Sequence, residues 1–272
     1  MKSHLFLSLA TLGTLLLMPP SEAFAQEEES SPITFGTQRA PVMIGPTIGA
    51  SMNFHSGGFR TIAADENCPE YGSGTGVGFI IGASAELSIA EKSSLIPRLL
   101  FETRPGSFEQ DLPPAYVPVP GSDQPVPQTV RAAAEVSYSL LNLEVLFKQE
   151  LMQFGTMRVG VAAGPSFGFV LGGDLKQMQD LLTPENARFS NPNNYPLEND
   201  GRRLVFYDGE IPSKSSTRFS LKLGVQSEIG LFGNSWFMSP GLFYDIGLSD
   251  VTEGENWQVS SLMLTVDFRR AF

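Results

Sequence analysis

The chain has 272 residues and a formal charge of −11, with 27 glycines, 20 phenylalanines and only 17% charged residues. No basic stripe or Lys/Arg cluster offsets that acidity, which argues against a nucleic-acid partner, and the single cysteine, Cys68, excludes an intrachain disulfide. A soluble acidic domain would carry charge on nearer about a quarter of its residues; modest hydropathy with many glycines and aromatics suits a barrel whose strands are apolar on one face only.

Lys2 precedes an uncharged apolar run from Leu5 to Met18, Pro19 and Pro20 end it, and Ala23-Phe24-Ala25 follows as a small-x-small pattern. This order predicts a secretory signal peptide over residues 1–25, removed by cleavage after Ala25. A retained anchor would need about 20 apolar residues, and Gln26, not a cysteine, directly follows Ala25, which argues against a lipid anchor. No later run is long and apolar enough for a transmembrane helix. Residues 26–40 open with Glu27, Glu28 and Glu29 and read as a solvated periplasmic tether, leaving residues 41–272 as the folded domain.

From Pro41 the pattern becomes period-two alternation, the mark of a strand with one apolar and one polar face. The first strand sets Val42, Ile44, Ile48, Ala50, Met52 and Phe54 against Gly45, Thr47, Gly49, Ser51 and Asn53. The second alternates Val77, Phe79, Ile81, Ala83, Ala85, Leu87 and Ile89 with glycines, Ser84, Glu86 and Ser88. The third shows Leu95, Leu99 and Phe101 against Arg98, Glu102 and Arg104, and the fourth Leu141, Leu143, Val145 and Phe147 against Asn142, Glu144 and Lys148. In the fourth, Val136, Tyr138 and Leu140 fall in the opposite parity, so a β-bulge near Leu140 or a later strand start is expected.

The second half repeats the theme. A fifth strand has Met157, Val159, Val161, Ala163, Phe167 and Phe169 against Arg158, Ser166 and glycines. A sixth has Phe219, Leu221, Leu223, Val225 and Ile229 against Arg218, Ser220, Lys222, Gln226 and Glu228. The seventh sets Trp236, Met238, Leu242, Tyr244 and Ile246 against Ser239, Gly241, Asp245 and Gly247. The eighth sets Leu262, Leu264, Val266 and Phe268 against Ser261, Thr265 and Asp267. Spanning hydrocarbon takes roughly 9–11 tilted residues per strand, and these segments supply them.

Short connections at 90–93, 153–155 and 232–235 alternate strictly with long ones at 55–73, 106–128, 173–216 and 249–256. Short periplasmic turns and longer external loops follow this rhythm in outer-membrane barrels. The expected fold is therefore all-β: an eight-stranded antiparallel up-and-down transmembrane β-barrel, in the outer membrane of a Gram-negative-type cell and exported through the general secretory pathway. A lipocalin-like barrel would have the opposite polarity. Eight strands enclose a space only just wide enough for side chains, which small and paired charged residues can fill. Trp236, Tyr244, Phe54 and Phe101 near strand ends suit aromatic girdles.

The predicted lumen then holds Glu86, Arg98, Glu102, Glu144, Lys148, Arg158, Arg218, Lys222, Glu228, Asp245 and Asp267. Unpaired charges in so narrow a space are costly, so a network of ion pairs and hydrogen bonds is expected there; the alternative is that these groups line an ion or solute path. Leu264, Val266, Phe268 and the terminal Phe272 share one parity, and a terminal aromatic on an amphipathic strand suits the signal read by the barrel assembly machinery.

Leu143-Glu144-Val145 through Lys148, Gly164-Pro165-Ser166-Phe167-Gly168 and Ser239-Pro240-Gly241-Leu242, together with the strand layout, resemble the outer membrane protein beta-barrel domain family of Bacteroidota-type bacteria, described as PorT-like. The resemblance runs from about Pro41 to Phe272 and implies an outer-membrane barrel; the secretion role of the family's PorT member is not carried over by any residue. The long connection at 173–216 exceeds what the family leads one to expect.

Catalytic and metal signatures are sparse. His55 precedes Ser56 beside Gly57-Gly58, where a turn is the simpler expectation than a lipid-modifying histidine–serine pair. Asp65, Glu66 and Glu70, and Asp250, Glu253 and Glu255, form acidic groups without a defined calcium-loop spacing. Cys68 is expected to be an exposed thiol with an intermolecular bridge as its sharper reading. Prolines from Pro113 to Pro127 predict a stiff loop without a strand ladder, and Leu175–Leu182 a short helix ended before Pro184. The expectation is a non-enzymatic barrel without metal or cofactor, of structural or surface-interaction type. It contacts outer-membrane lipid and binds a surface protein or ligand through its external loops. The alternatives are a porin-like channel for ions or small solutes and a lipid-modifying enzyme.

Overall fold

The computed structural model describes residues 41–60, 70–117, 125–190, 194–231, 235–254 and 256–272. The predicted signal peptide, the cleavage point after Ala25, the tether, Asp65, Glu66, Cys68 and Glu255 lie outside them. The described residues form twelve strands and one short 3-10 turn, Asn199–Gly201. In chain order the strands are β1 (Val42–Arg60), β2 (Glu70–Ala90), β3 (Ser93–Thr103), β4 (Gly106–Asp111), β5 (Ala115–Val117), β6 (Val126–Phe154), β7 (Met157–Thr183), β8 (Leu197–Glu198), β9 (Arg203–Glu210), β10 (Thr217–Gly230), β11 (Trp236–Gly247) and β12 (Gln258–Ala271).

Every pairing is antiparallel. The ladders run β1–β2–β3–β6–β7–β10–β11–β12 and return from β12 to β1, a ring through eight strands. These are the eight segments in which the sequence alternates. The other four strands extend the sheet at the end where the long connections lie. Beyond Arg104-Pro105 the chain continues as β4, which pairs with β6 and touches β2 at Thr75↔Ser107. There β5 pairs with the start of β6, β9 with the end of β7, and β8 with β9.

Period-two alternation places side chains on opposite faces of a strand, and the ring uses this in one consistent sense. Outward residues are apolar and accessible: Ile48 is 50% exposed, Phe79 52%, Leu221 42% and Leu264 58%. Their inward neighbours Thr47, Glu86, Lys222 and Asp267 are buried.

Several predicted connections prove to be strand. β1 runs through His55 to Arg60, so no turn occurs at Gly57-Gly58; a register shift between Ser56 and Phe59 takes its place. Gly57 permits it with φ 95, and a Cβ there would stand 1.5 Å from the Asn256 carbonyl oxygen. Leu175–Leu182 is not helical, because β7 continues to Thr183 with β6 on one side and β9 on the other. Two ladders satisfy the backbone there and outweigh local helix preference. A short ladder also enters the proline-rich stretch, Ala115↔Gln128 to Val117↔Val126, with Pro127 on a marginal strand end where a missing N–H is tolerated.

The register break expected in the fourth predicted strand lies in its partner. Even-numbered residues stay inward along β6 from Val136 through Lys148. Opposite, Ser139 pairs with Gly172 but Leu140 with Val170, so β7 skips Leu171 and changes parity. Val136, Tyr138 and Leu140 thus remain inside because the interior itself becomes apolar at that level. A second shift, between Glu150 and Met152, turns Met152 and Phe154 to the outward side of Val159 and Met157.

Gly57→Ala is expected to destabilise the fold by more than about 1 kcal/mol through strain and overlap. Gly72→Ala, with no atom within 4 Å of the added methyl, should be neutral. Thermal unfolding of both variants in detergent micelles, followed by circular dichroism, tests the contrast.

Candidate functional site

The ring's interior is built from inward positions of all eight strands. Two knots of charge occupy it. In the first, Asp267 on β12 accepts hydrogen bonds from Arg98 on β3 (2.8 Å), Thr47 on β1 (2.6 Å) and Gln226 on β10 (2.7 Å). Arg269 bridges Asp267 to Glu86 on β2. Glu86 also takes Ser94 at 2.7 Å and Lys148 on β6 at 2.6 Å. Lys148 continues to Glu228 at 3.4 Å, which Arg158 meets at 3.3 Å.

Asp245 on β11 centres the second knot. It receives Arg218 on β10, Ser220 Oγ at 3.0 Å and Arg104 at 3.3 Å. Arg104 also pairs with Glu102 at 2.6 Å and donates to Ser261 Oγ at 2.7 Å, which in turn donates to Asn53 at 2.7 Å. Lys222 joins Glu144 and stands 3.5 Å from Glu102. Arg98–Asp267, Arg104–Asp245 and Lys222–Glu102 join strands that are not neighbours, so these pairs cross the interior.

All the residues expected in the lumen therefore take part in these knots. All are buried except Arg158, whose side chain is 16% exposed. Two charged members were missed: Arg104, placed on the polar face but left out of the network, and Arg269. Parity was the available signal, since Arg269 lies two residues after Asp267. Also missed were the apolar residues Ile80, Ile96, Leu100, Leu146, Ala162, Phe243 and Met263, which form a buried cluster within the interior. Arg98 lies over the Phe243 ring at 4.8 Å, a favourable cation–π position.

Toward the long-connection end the filling turns aromatic. Tyr71, Phe108, Tyr138 and Trp257 pack with Val136, Leu140, Leu175 and Ile211 in one buried cluster. Ring centroids of Phe108 and Trp257 are 6.2 Å apart, and those of Phe108 and Tyr71 6.0 Å. His55 belongs to this wall, 5.4 Å from Phe108 and 2% exposed. An indole N–H can only donate, so His55 Nδ1 accepts from Trp257 Nε1 at 3.2 Å. Its Nε2 then carries the proton and donates to the Pro105 carbonyl at 3.1 Å. Ser56 is exposed on the opposite face of β1.

Beyond the ring, β4–β6–β7–β9–β8 forms a sheet that carries several surface ion pairs. Arg131 joins Asp111 at 2.7 Å and Glu109 at 2.9 Å, and its hydrogen bond holds the Asp111 carboxyl below the usual range. Arg203 grips Asp180 at 2.7 Å, which raises the guanidinium further. Among the described residues no three His, Cys, Asp or Glu side chains converge as metal ligands. Phe272 is 69% exposed; its backbone N–H donates to the Val42 carbonyl at 3.0 Å, and Arg270 lies 5.5 Å from its ring.

Burying charge is tolerable only while each partner is present. Asp267→Ala strands Arg98 in the interior, leaves Arg269 with Glu86 alone and is expected to cost about 3–5 kcal/mol, whereas Asp111→Ala, at a solvated pair, should leave stability unchanged. Urea unfolding midpoints of both variants check this.

A family model described as outer membrane protein beta-barrel domain matches residues 24–253. No curated protein matches by sequence. Among solved structures, the attachment invasion locus protein Ail of Yersinia pestis is 8% identical with a TM-score of 0.30, the match covering 84% of this chain and 97% of that one. Neisserial surface protein A is 12% identical with a TM-score of 0.31, over 85% and 99%. The outer membrane protease OmpT of Escherichia coli is 9% identical with a TM-score of 0.42, over 85% and 96%.

Proposed function

Because the chain belongs to the outer membrane protein beta-barrel domain family, we propose that its eight-strand ring is a transmembrane barrel that conducts nothing and carries an external interaction sheet. The observation that carries this reading is the sealed interior: Arg98, Glu144, Lys222, Asp245 and Asp267 are each at most 2% exposed. A water-filled path would leave such groups wet. Above them Trp257, Phe108, Tyr71 and Tyr138 close the same space with apolar bulk.

The outward belt supports placement in lipid. A soluble protein rarely shows contiguous apolar surface of more than a few hundred Å², and here every strand of the ring carries an apolar residue at half exposure or more: Ile48, Phe79, Leu99, Leu143, Phe169, Phe219, Leu242 and Leu264. Trp236 and Phe154 at the short-turn end suit the periplasmic girdle, and Phe54 and Tyr244 the outer one. Both described ends of the chain, Pro41 and Phe272, then face the periplasm. Export by residues 1–25 with cleavage after Ala25, and reading of Phe272 by the barrel assembly machinery, complete this proposal. The PorT-like grouping rests on the short segments at 143–148, 164–168 and 239–242.

The external sheet gives the barrel a surface to present. β6 has 29 residues and β7 has 27, roughly three times the 9–11 needed to cross hydrocarbon. A protein or ligand outside the cell is the partner this sheet would meet. Enzymatic action is not part of the reading: His55 is held inside between Trp257 and Pro105 while Ser56 points away, so these two residues do not form a pair facing lipid.

Planar-bilayer recording of the purified chain should give no steady single-channel steps, and reproducible steps would replace this reading with a porin-like channel. Leu264→Arg, in the middle of the outward belt, should cost about 2–4 kcal/mol if that face meets the bilayer midplane. The check is the folded fraction recovered in lipid vesicles, compared with the unaltered chain.

A further inference from the structure

We infer that His55 is an acid-sensitive latch that holds Trp257 inside the mouth of the ring. The argument is one of donors and acceptors. Trp257 Nε1 has only a proton to offer, and its partner is the lone pair of His55 Nδ1 at 3.2 Å. The other ring nitrogen is committed to the Pro105 carbonyl at 3.1 Å. A second proton on the imidazole has only Nδ1 to occupy. Two N–H groups would then confront each other at hydrogen-bond distance, and the Trp257 indole would lose its acceptor.

The surroundings reinforce this. Arg104, in the link between β3 and β4 and next in sequence to the Pro105 that accepts from His55, is a cation that acts on the imidazole. It is held by Glu102 on β3 and Asp245 on β11, and Asp245 also takes Arg218 from β10. These carboxylates are thus engaged with guanidinium groups. From β2 and β6, Tyr71 and Tyr138 stand in the same apolar cluster. From the connection before β12, Asp250 and Glu253 are the acidic residues among the described ones, and Glu255, nearest to Trp257 in sequence, lies outside them. Among the described residues no carboxylate hydrogen-bonds His55, so within them a positive imidazole would stand near the Arg104 cation without a directly bonded counter-ion.

Trp257 is also a structural hinge point for its connection. Val251 N–H donates to the Trp257 carbonyl at 2.7 Å, and Ser215 N–H donates to the Val251 carbonyl at 2.8 Å, tying the segment after β11 to the one before β10. Release of the indole would loosen that tie and expose the aromatic wall at the mouth. The inference does not depend on whether the ring conducts.

The sequence has two tryptophans, so Trp236→Phe leaves Trp257 as the sole indole reporter. The full chain with this change, in detergent micelles, is titrated between about pH 8 and about pH 3, a range that reaches well below ordinary histidine protonation because the imidazole is buried. Trp257 emission and acrylamide quenching are read beside far-ultraviolet circular dichroism. Acidification should shift the emission to the red and raise quenching reversibly. Adding His55→Gln, which keeps a neutral acceptor, or His55→Phe, which keeps the ring, should flatten the profile. The same transition in either folded variant, or no transition in the parent, overturns the latch.

Discussion

A charge removed from water must meet its opposite, and in this protein it can do so only across a closed ring. Arg98 reaches Asp267 over two intervening strands, and Lys222 reaches Glu102 from the far side. Neither pair can form in an open sheet. Buried ion pairs are modest sources of stability, since desolvation offsets most of their attraction. Their larger effect is on the alternatives: any pairing that slips by one residue turns a row of charges outward into the apolar belt and a row of leucines into the interior. The charge network therefore sets the register of the ring as much as it strengthens it.

The interior is graded. Near the short turns it is ionic, with Glu86, Lys148, Glu228 and Arg269 at its centre; toward the long connections it becomes aromatic, with Trp257 and Phe108. The change of chemistry coincides with the skipped Leu171 in β7, where parity reverses and Leu175 and Gln177 turn inward. One irregular residue thus lets the same two strands leave a lipid-facing regime and enter an external sheet. Polar groups give way to apolar bulk where the strands cease to need a hydrocarbon partner outside.

Alternation along the chain was enough to place the inward Glu86, Glu144, Lys222 and Asp267, because the face of a strand is a local property with a period of two residues. It was not enough to see that Leu175–Leu182 is strand: that stretch has helix-forming residues, and only its two ladder partners decide otherwise. His55 illustrates the same limit. Beside two glycines it reads as a turn, yet its partner Trp257 lies 202 positions away. Arg269, by contrast, is legible by parity, because it lies two residues beyond Asp267 on the same face of β12.

What the chain's order of residues determined alone is the two-faced character of eight segments and the rhythm of short and long connections between them, since both depend only on near neighbours. Tertiary structure decided which carboxylate meets which cation, where Leu171 and Leu151 break register, and how far β6 and β7 run beyond the ring. Those outcomes depend on strands far apart in sequence supplying hydrogen bonds and counter-charges to one another, and no local pattern encodes a partner on the opposite wall.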